Sequence, residues 1–121
     1  MNSFHEYQAA ALRTAKSFNH LPTDLTHAAL GIATEGGEFT TLVKRGAIYD
    51  RPFSAEDIDH MAEELGDLLW YIALACEHLG VTLSRVAERN IDKLALRYPT
   101  SYSDREANAR ADKAGAGPRE S

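Results

Sequence analysis

Apolar positions recur along this chain at three- and four-residue intervals, and no stretch of any length alternates apolar with polar residues. That period lines up side chains on one face of a helix, so the pattern predicts helices and no sheet. Four segments carry it. The first is Phe4–Phe18, rich in Ala, Gln, Leu, Arg and Lys, with Ser3 placed as its N-cap. The second runs from about Leu25 to Lys44, capped by Thr23 or Asp24 and closed by Gly46. The third and clearest spans Ala55–His78, with Ser54 and Asp57 spaced as a capping box and Leu79-Gly80 as its stop. The fourth begins at Thr82 or Ser84 and ends at Tyr98, because Pro99 follows.

Short connections between these segments imply antiparallel neighbours, and the expected architecture is an all-α four-helix bundle over residues 1–103. Residues 104–121 hold four acids, four bases and almost no large apolar side chain. They read as a polar, flexible tail outside the core. The core stripe of the third helix is Ile58, Met61, Leu65, Leu68, Ile72 and Leu79. Within it, Leu68–Cys76 is apolar around the whole helix circumference. Four helices of one small chain rarely cover such a segment on every side, which predicts a homo-oligomer.

Charge and composition narrow the function. With 13 Lys plus Arg against 18 Asp plus Glu, the net charge is −5, the wrong sign for a nucleic-acid polymer as main partner. The single cysteine, Cys76, excludes an internal disulfide and Cys-based zinc-finger spacing, and reads as a buried small hydrophobe. No apolar run reaches membrane-spanning length, and the first residues lack the basic and apolar regions of a signal peptide. A cytoplasmic protein without membrane contact is expected.

The second and third helices carry acids where a core should be. Glu35 falls inside the stripe made by Ala28, Gly31, Ile32, Phe39 and Leu42, with Glu38 at its edge. Glu64 and Asp67 lie on the flank of the third helix that also holds His60, Tyr71 and Leu74. Spacing of i, i+3 puts each acidic pair one turn apart on one side of its helix. Antiparallel packing lets the pairs face each other, where four carboxylates repel unless a multivalent cation lies between them. An all-oxygen ligand set suits Mg²⁺, with Mn²⁺ as a substitute. A single such pair would ordinarily be a solvated helix face; two pairs intruding on apolar stripes favour metal. Gly36 and Gly37, each costing about 1 kcal/mol in a helix relative to Ala, either leave room for ligand or allow close helix packing. On the fourth helix Asn90, Lys93 and Arg97 share a side, where long cations can reach phosphate oxygens or simply snorkel.

Glu35-Gly-Gly-Glu38, 25 residues, then Glu64-Leu-Gly-Asp67 resembles the ExxE…ExxD motif of the all-α MazG-like nucleoside triphosphate pyrophosphohydrolases. Ala33–Phe39, Glu63–Tyr71 and Asn90–Pro99 are similar to the short single-domain members, and the likeness covers about residues 3–102. Thr34 departs from it, standing where many relatives carry another acid or a small residue. The resemblance implies Glu35, Glu38, Glu64 and Asp67 as Mg²⁺ ligands and catalytic carboxylates, with Asn90, Lys93 and Arg97 contacting substrate. It also implies hydrolysis of a nucleoside triphosphate to monophosphate and pyrophosphate, one of Glu35 or Glu38 orienting or deprotonating the water. Phe4, Tyr7, Gln8 and Trp70 can each stack on or hydrogen-bond a base, or belong to a core or interface.

Two other readings compete. A di-iron carboxylate bundle needs Glu-x-x-His from two helices. The nearest matches here are Asp24-Leu-Thr-His27 and Asp57-Ile-Asp-His60. A non-catalytic bundle that binds nucleotides or a partner is the second, though it has no need of four inward carboxylates.

Overall fold

A computed structural model describes Met1 and residues 3–99; the tail expected at 104–121 lies outside the described residues. The elements in order are α1 (Phe4–Ala11), a 3-10 turn (Leu12–Thr14), α2 (Leu21–Ile48), α3 (Ala55–Leu79) and α4 (Leu83–Arg97). The described residues form no strand. They divide into two units, one ending at Leu83 and the other starting at Ser84, so most of α4 is described by itself.

Local signals place several helix ends as expected. The Ser3 hydroxyl accepts the Glu6 N–H at the start of α1. Ser54 and Asp57 form a reciprocal capping box: the Asp57 N–H reaches Ser54 Oγ at 3.1 Å, and the Ser54 N–H reaches the Asp57 carboxylate at 2.9 Å. Gly80 ends α3 at φ 74°, the left-handed conformation that costs a residue with a Cβ.

Other ends differ from the sequence expectation, each for a local reason. α1 stops at Ala11 instead of reaching Phe18, because the Phe18 N–H and the Ser17 hydroxyl are taken by the Asp24 carboxylate. α2 starts four residues earlier than expected, with His20 at the N-cap and Pro22 in the first turn, where its missing N–H costs nothing. Neither Thr23 nor Asp24 is therefore the cap. The helix also continues through Gly46 to Ile48, since the absence of a side chain at Gly46 admits the Phe53 ring. Asp50, at φ 49°, makes the turn that follows.

α2 and α3 form an antiparallel hairpin. Phe53 meets Gly46 near its turn, Glu64 faces Glu35, Tyr71 lies against Gly31, and His78 reaches Asp24 at the open end. At Gly31 any Cβ would collide with the Tyr71 ring, so this glycine sets how closely the helices approach. Ala28, Ala73 and Leu74 are buried almost completely. Ala73, Cys76 and Leu83 form a small cluster, flanked by Tyr7, Leu69 and Ile72. Cys76 is thus the buried hydrophobe expected, and burial raises its thiol pKa, keeping it protonated.

α1 is fastened to α3 by polar contacts as well as packing. The Trp70 indole N–H donates to the Ala11 carbonyl at 3.0 Å. The buried Gln8 amide accepts the Leu83 N–H at 2.8 Å and donates toward Glu77 and the Val81 carbonyl, both at 3.4 Å. Gln8 and the Trp70 N–H thereby satisfy backbone and side-chain groups of the fold, which removes them as base-reading groups.

The expected core stripe of α3 is only partly covered. Ile58, Leu65 and Leu79 are exposed, while Met61, Leu68 and Ile72 are half-buried. This exposure follows from the direction of the hairpin: the face turned to α2 carries Glu64, Tyr71, Leu74 and His78, so the stripe falls to one side of it.

Candidate functional site

The α2–α3 hairpin brings acids from both helices together. One carboxylate oxygen each from Glu35, Glu64 and Asp67 lies within 4.8 Å of the other two. Glu35 and Glu64 are half-buried and Asp67 is exposed. The inward placement of Glu35 follows from its position in the apolar stripe, one turn beyond the buried Gly31. Glu38, the fourth acid expected, is exposed and stands outside the group of three, though its charge still acts on Glu64.

Electrostatics report the crowding. Hydrogen bonding with the Glu35 carboxyl raises the pKa of Glu64 above the usual carboxylate range. Burial and the charges of Glu35, Asp67 and Glu38 add to the rise. Three carboxylates at such separation favour either a shared proton or a cation, because like charges so close repel one another. Oxygen donors alone fit a hard divalent ion such as Mg²⁺.

A Cβ added at Gly36, Gly37 or Gly66 would meet nothing within 4 Å. Close helix packing among the described residues therefore does not explain Gly36 and Gly37. Tyr7, on α1, packs beside Leu69 and Ile72. Burial first, then the charge of Asp67, raises its phenol pKa. Among the residues considered for base contact, Tyr7 thus has its phenol within the field of Asp67. The sequence offers no signal for this, since the position of α1 depends on contacts such as Trp70–Ala11, 59 residues apart. A groove of about 620 Å³ bounded by Gln8, Leu12, Arg13, Glu77 and Val81 opens toward the other end of α3, and Glu35, Glu38, Glu64 and Asp67 do not line it.

Asn90, Lys93 and Arg97 share one side of α4, Asn90 exposed and the two cations half-buried. They belong to the second unit. His60 is exposed on α3 one turn before Glu64.

No helix among the described residues is long and apolar enough to cross a membrane. No solved structure matches the chain. The chain is 36% identical over 75 residues to the Gene 37 protein of Mycobacterium phage L5. The match covers 60% of this chain and 65% of that protein, so it spans just under two thirds of the relative's length. The model of the MazG nucleotide pyrophosphohydrolase domain matches residues 24–102, a stretch that contains both acidic pairs and the whole hairpin register from Asp24 to His78. With a family match over more than half its length, the chain belongs to the MazG nucleotide pyrophosphohydrolase domain family.

Proposed function

We propose that this chain hydrolyses nucleoside triphosphates to the monophosphate and pyrophosphate in a Mg²⁺-dependent reaction, with Mn²⁺ able to substitute. The observation that carries the reading is the approach of Glu35, Glu64 and Asp67 to within 4.8 Å, in a family of nucleotide pyrophosphohydrolases. These three would hold the ion. Bound there, Mg²⁺ would supply charge neutralisation for the triphosphate and lower the pKa of a coordinated water.

The protein's own part is to place charge and exclude alternatives. Glu38 is the acid not spent in the group of three, which makes it the side chain to orient water or take its proton. In the proposed reaction a water oxygen bonds to the α-phosphorus while the bond to the bridging oxygen breaks, and the pyrophosphate departs with that electron pair. Asn90, Lys93 and Arg97 are assigned to the phosphates, where cationic forks and an amide neutralise developing charge. Open space at Gly36 and Gly37 supports ligand entry beside the acids. A homodimer or homotetramer is the assembly proposed, and a cytoplasmic setting matches its substrate. The domain is assigned to residues 1–103, with 104–121 as an appended tail.

The test is product analysis on a panel of ribo- and deoxyribonucleoside triphosphates with Mg²⁺ and with EDTA. Metal-dependent pyrophosphate release is expected, and Asp67→Ala or Glu38→Ala should cut it by about 100-fold or more while circular dichroism stays unchanged. Full activity in Asp67→Ala would refute the carboxylate site. Tight nucleotide binding with no pyrophosphate released by the wild type would favour a nucleotide-binding bundle instead.

A further inference from the structure

Asp24 lies in the first turn of α2 and is only 5% exposed, yet its pKa is lowered rather than raised. The main cause is the Phe18 N–H, which donates to Asp24 Oδ1 at 2.7 Å; burial opposes it, and the Ser17 hydroxyl, His78 and His20 assist. Ser17 Oγ donates to Oδ2 at 2.9 Å and itself accepts the Asn19 N–H at 3.1 Å. One carboxylate thus ties down three successive residues of the connection between α1 and α2. The same Oδ2 stands 3.6 Å from Nδ1 of His78, near the C-terminus of α3. His78 Nε2 is buried without a hydrogen-bond partner.

We propose that Asp24 and His78 form a proton-operated latch that fastens the α1–α2 connection to the last turns of α3, closed when the His78 imidazole carries a proton. A separation of 3.6 Å is too long for a good neutral hydrogen bond but well within the range of an ion pair. An imidazole is the side chain that ordinarily changes charge between about pH 5 and 8. Asp24 is the anion throughout that window, so the charge on the pair is set by the imidazole alone.

The surrounding groups do not duplicate His78. On the connection, His20 adds to the field at Asp24, but its Nδ1 is engaged with Thr23 Oγ1 at 2.9 Å. Lys16 sits over the Phe18 ring at 4.9 Å. On α2, His27 lies one turn past Asp24, edge-on between Phe18 and Tyr71, with its Nδ1 buried and unpartnered. On α3, the neighbouring Glu77 is directed to Gln8. Through Phe18, His27, Tyr71 and Trp70, whose indole holds the Ala11 carbonyl, the latch is continuous with the contacts that seat α1.

Nuclear magnetic resonance on the full chain, without nucleotide or metal, tests this. The probes are the His78 ring signals and the protection of the Phe18 amide against exchange, corrected for intrinsic base catalysis. Protection should rise as pH falls across the range in which an imidazole ordinarily gains its proton. His78→Gln should flatten that dependence, and Asp24→Asn should move the His78 midpoint to lower pH. The latch is overturned by a flat wild-type profile, by the same profile in His78→Gln, or by an Asp24→Asn midpoint equal to wild type. It is overturned equally if His20→Asn, and not His78→Gln, removes the dependence. His78→Gln keeps the test decisive if Asp24→Asn does not fold.

Discussion

Glu64 joins folding and the proposed metal chemistry in one side chain. Its pKa is raised in the folded protein, first by the hydrogen bond with Glu35 and then by burial and neighbouring charge. A carboxyl with a raised folded pKa binds its proton more tightly in the folded than in the unfolded state. Stability therefore falls as pH rises from the ordinary value of about 4.5 through the raised one. A divalent cation reverses the sign by favouring the ionised form. Thermal melts in EDTA should show the melting temperature dropping across this window, and Mg²⁺ should restore it at neutral pH. Glu64→Gln should melt at or above the wild type in EDTA at neutral pH and lose the Mg²⁺ response. If Glu64→Gln kept both the pH slope and the Mg²⁺ response, the destabilising charge would lie elsewhere.

At the scale of elements, glycines within one helix have opposite roles. Gly31 lies where the Tyr71 ring crosses α2, and a methyl group there must displace the ring. Gly31→Ala should cost about 1–3 kcal/mol by overpacking. Gly36 is half-buried but faces open space, so Gly36→Ala should gain up to about 1 kcal/mol from helix propensity. If that space admits substrate, the same variant should raise KM. Denaturant unfolding of both variants, with nucleotide kinetics on Gly36→Ala, checks the contrast; equal losses of stability would contradict it.

The same scale shows what the amino-acid pattern reveals. Helix identities, the Ser54–Asp57 capping box and the Gly80 stop are local signals, and they are legible. So is the acidic group, because Glu35 interrupts an apolar stripe and any carboxylate there needs a reason. The early end of α1 is not legible, since helix propensity at Ser17 and Phe18 loses to a carboxylate six and seven residues downstream. Glu38 illustrates the limit of motif reading: its spacing matches Asp67's in the partner pair, yet only three of the four acids converge. Tyr7 enters through the seating of α1, which depends on Gln8 and Trp70 reaching across most of the chain.

On the scale of the whole molecule, α3 carries an apolar seam that is only partly buried among the described residues. Ile58, Met61, Leu65, Leu68, Ile72, Ala75 and Leu79 follow an unbroken three–four spacing, the pattern of helices that pair along their length. Ile58 is 56% exposed, Leu65 47% and Leu79 59%. A second copy offers the same seam, and two-fold pairing counts each contact twice. Burying one Ile or Leu is worth about 1.5–3 kcal/mol, so a charge at Ile58 should weaken a symmetric dimer by about 3 kcal/mol or more, about 100-fold or more in Kd. Light scattering at micromolar concentrations should give the wild type a mass two or four times 13.3 kDa. Ile58→Glu, two turns before Glu64 and outside the acidic group, should lower that mass while helicity is retained. Leu30→Glu, at a 63% exposed position of α2, should leave it unchanged. A wild type that stays at the single-chain mass, or an assembly that Leu30→Glu breaks and Ile58→Glu does not, would show that this seam is not where copies meet.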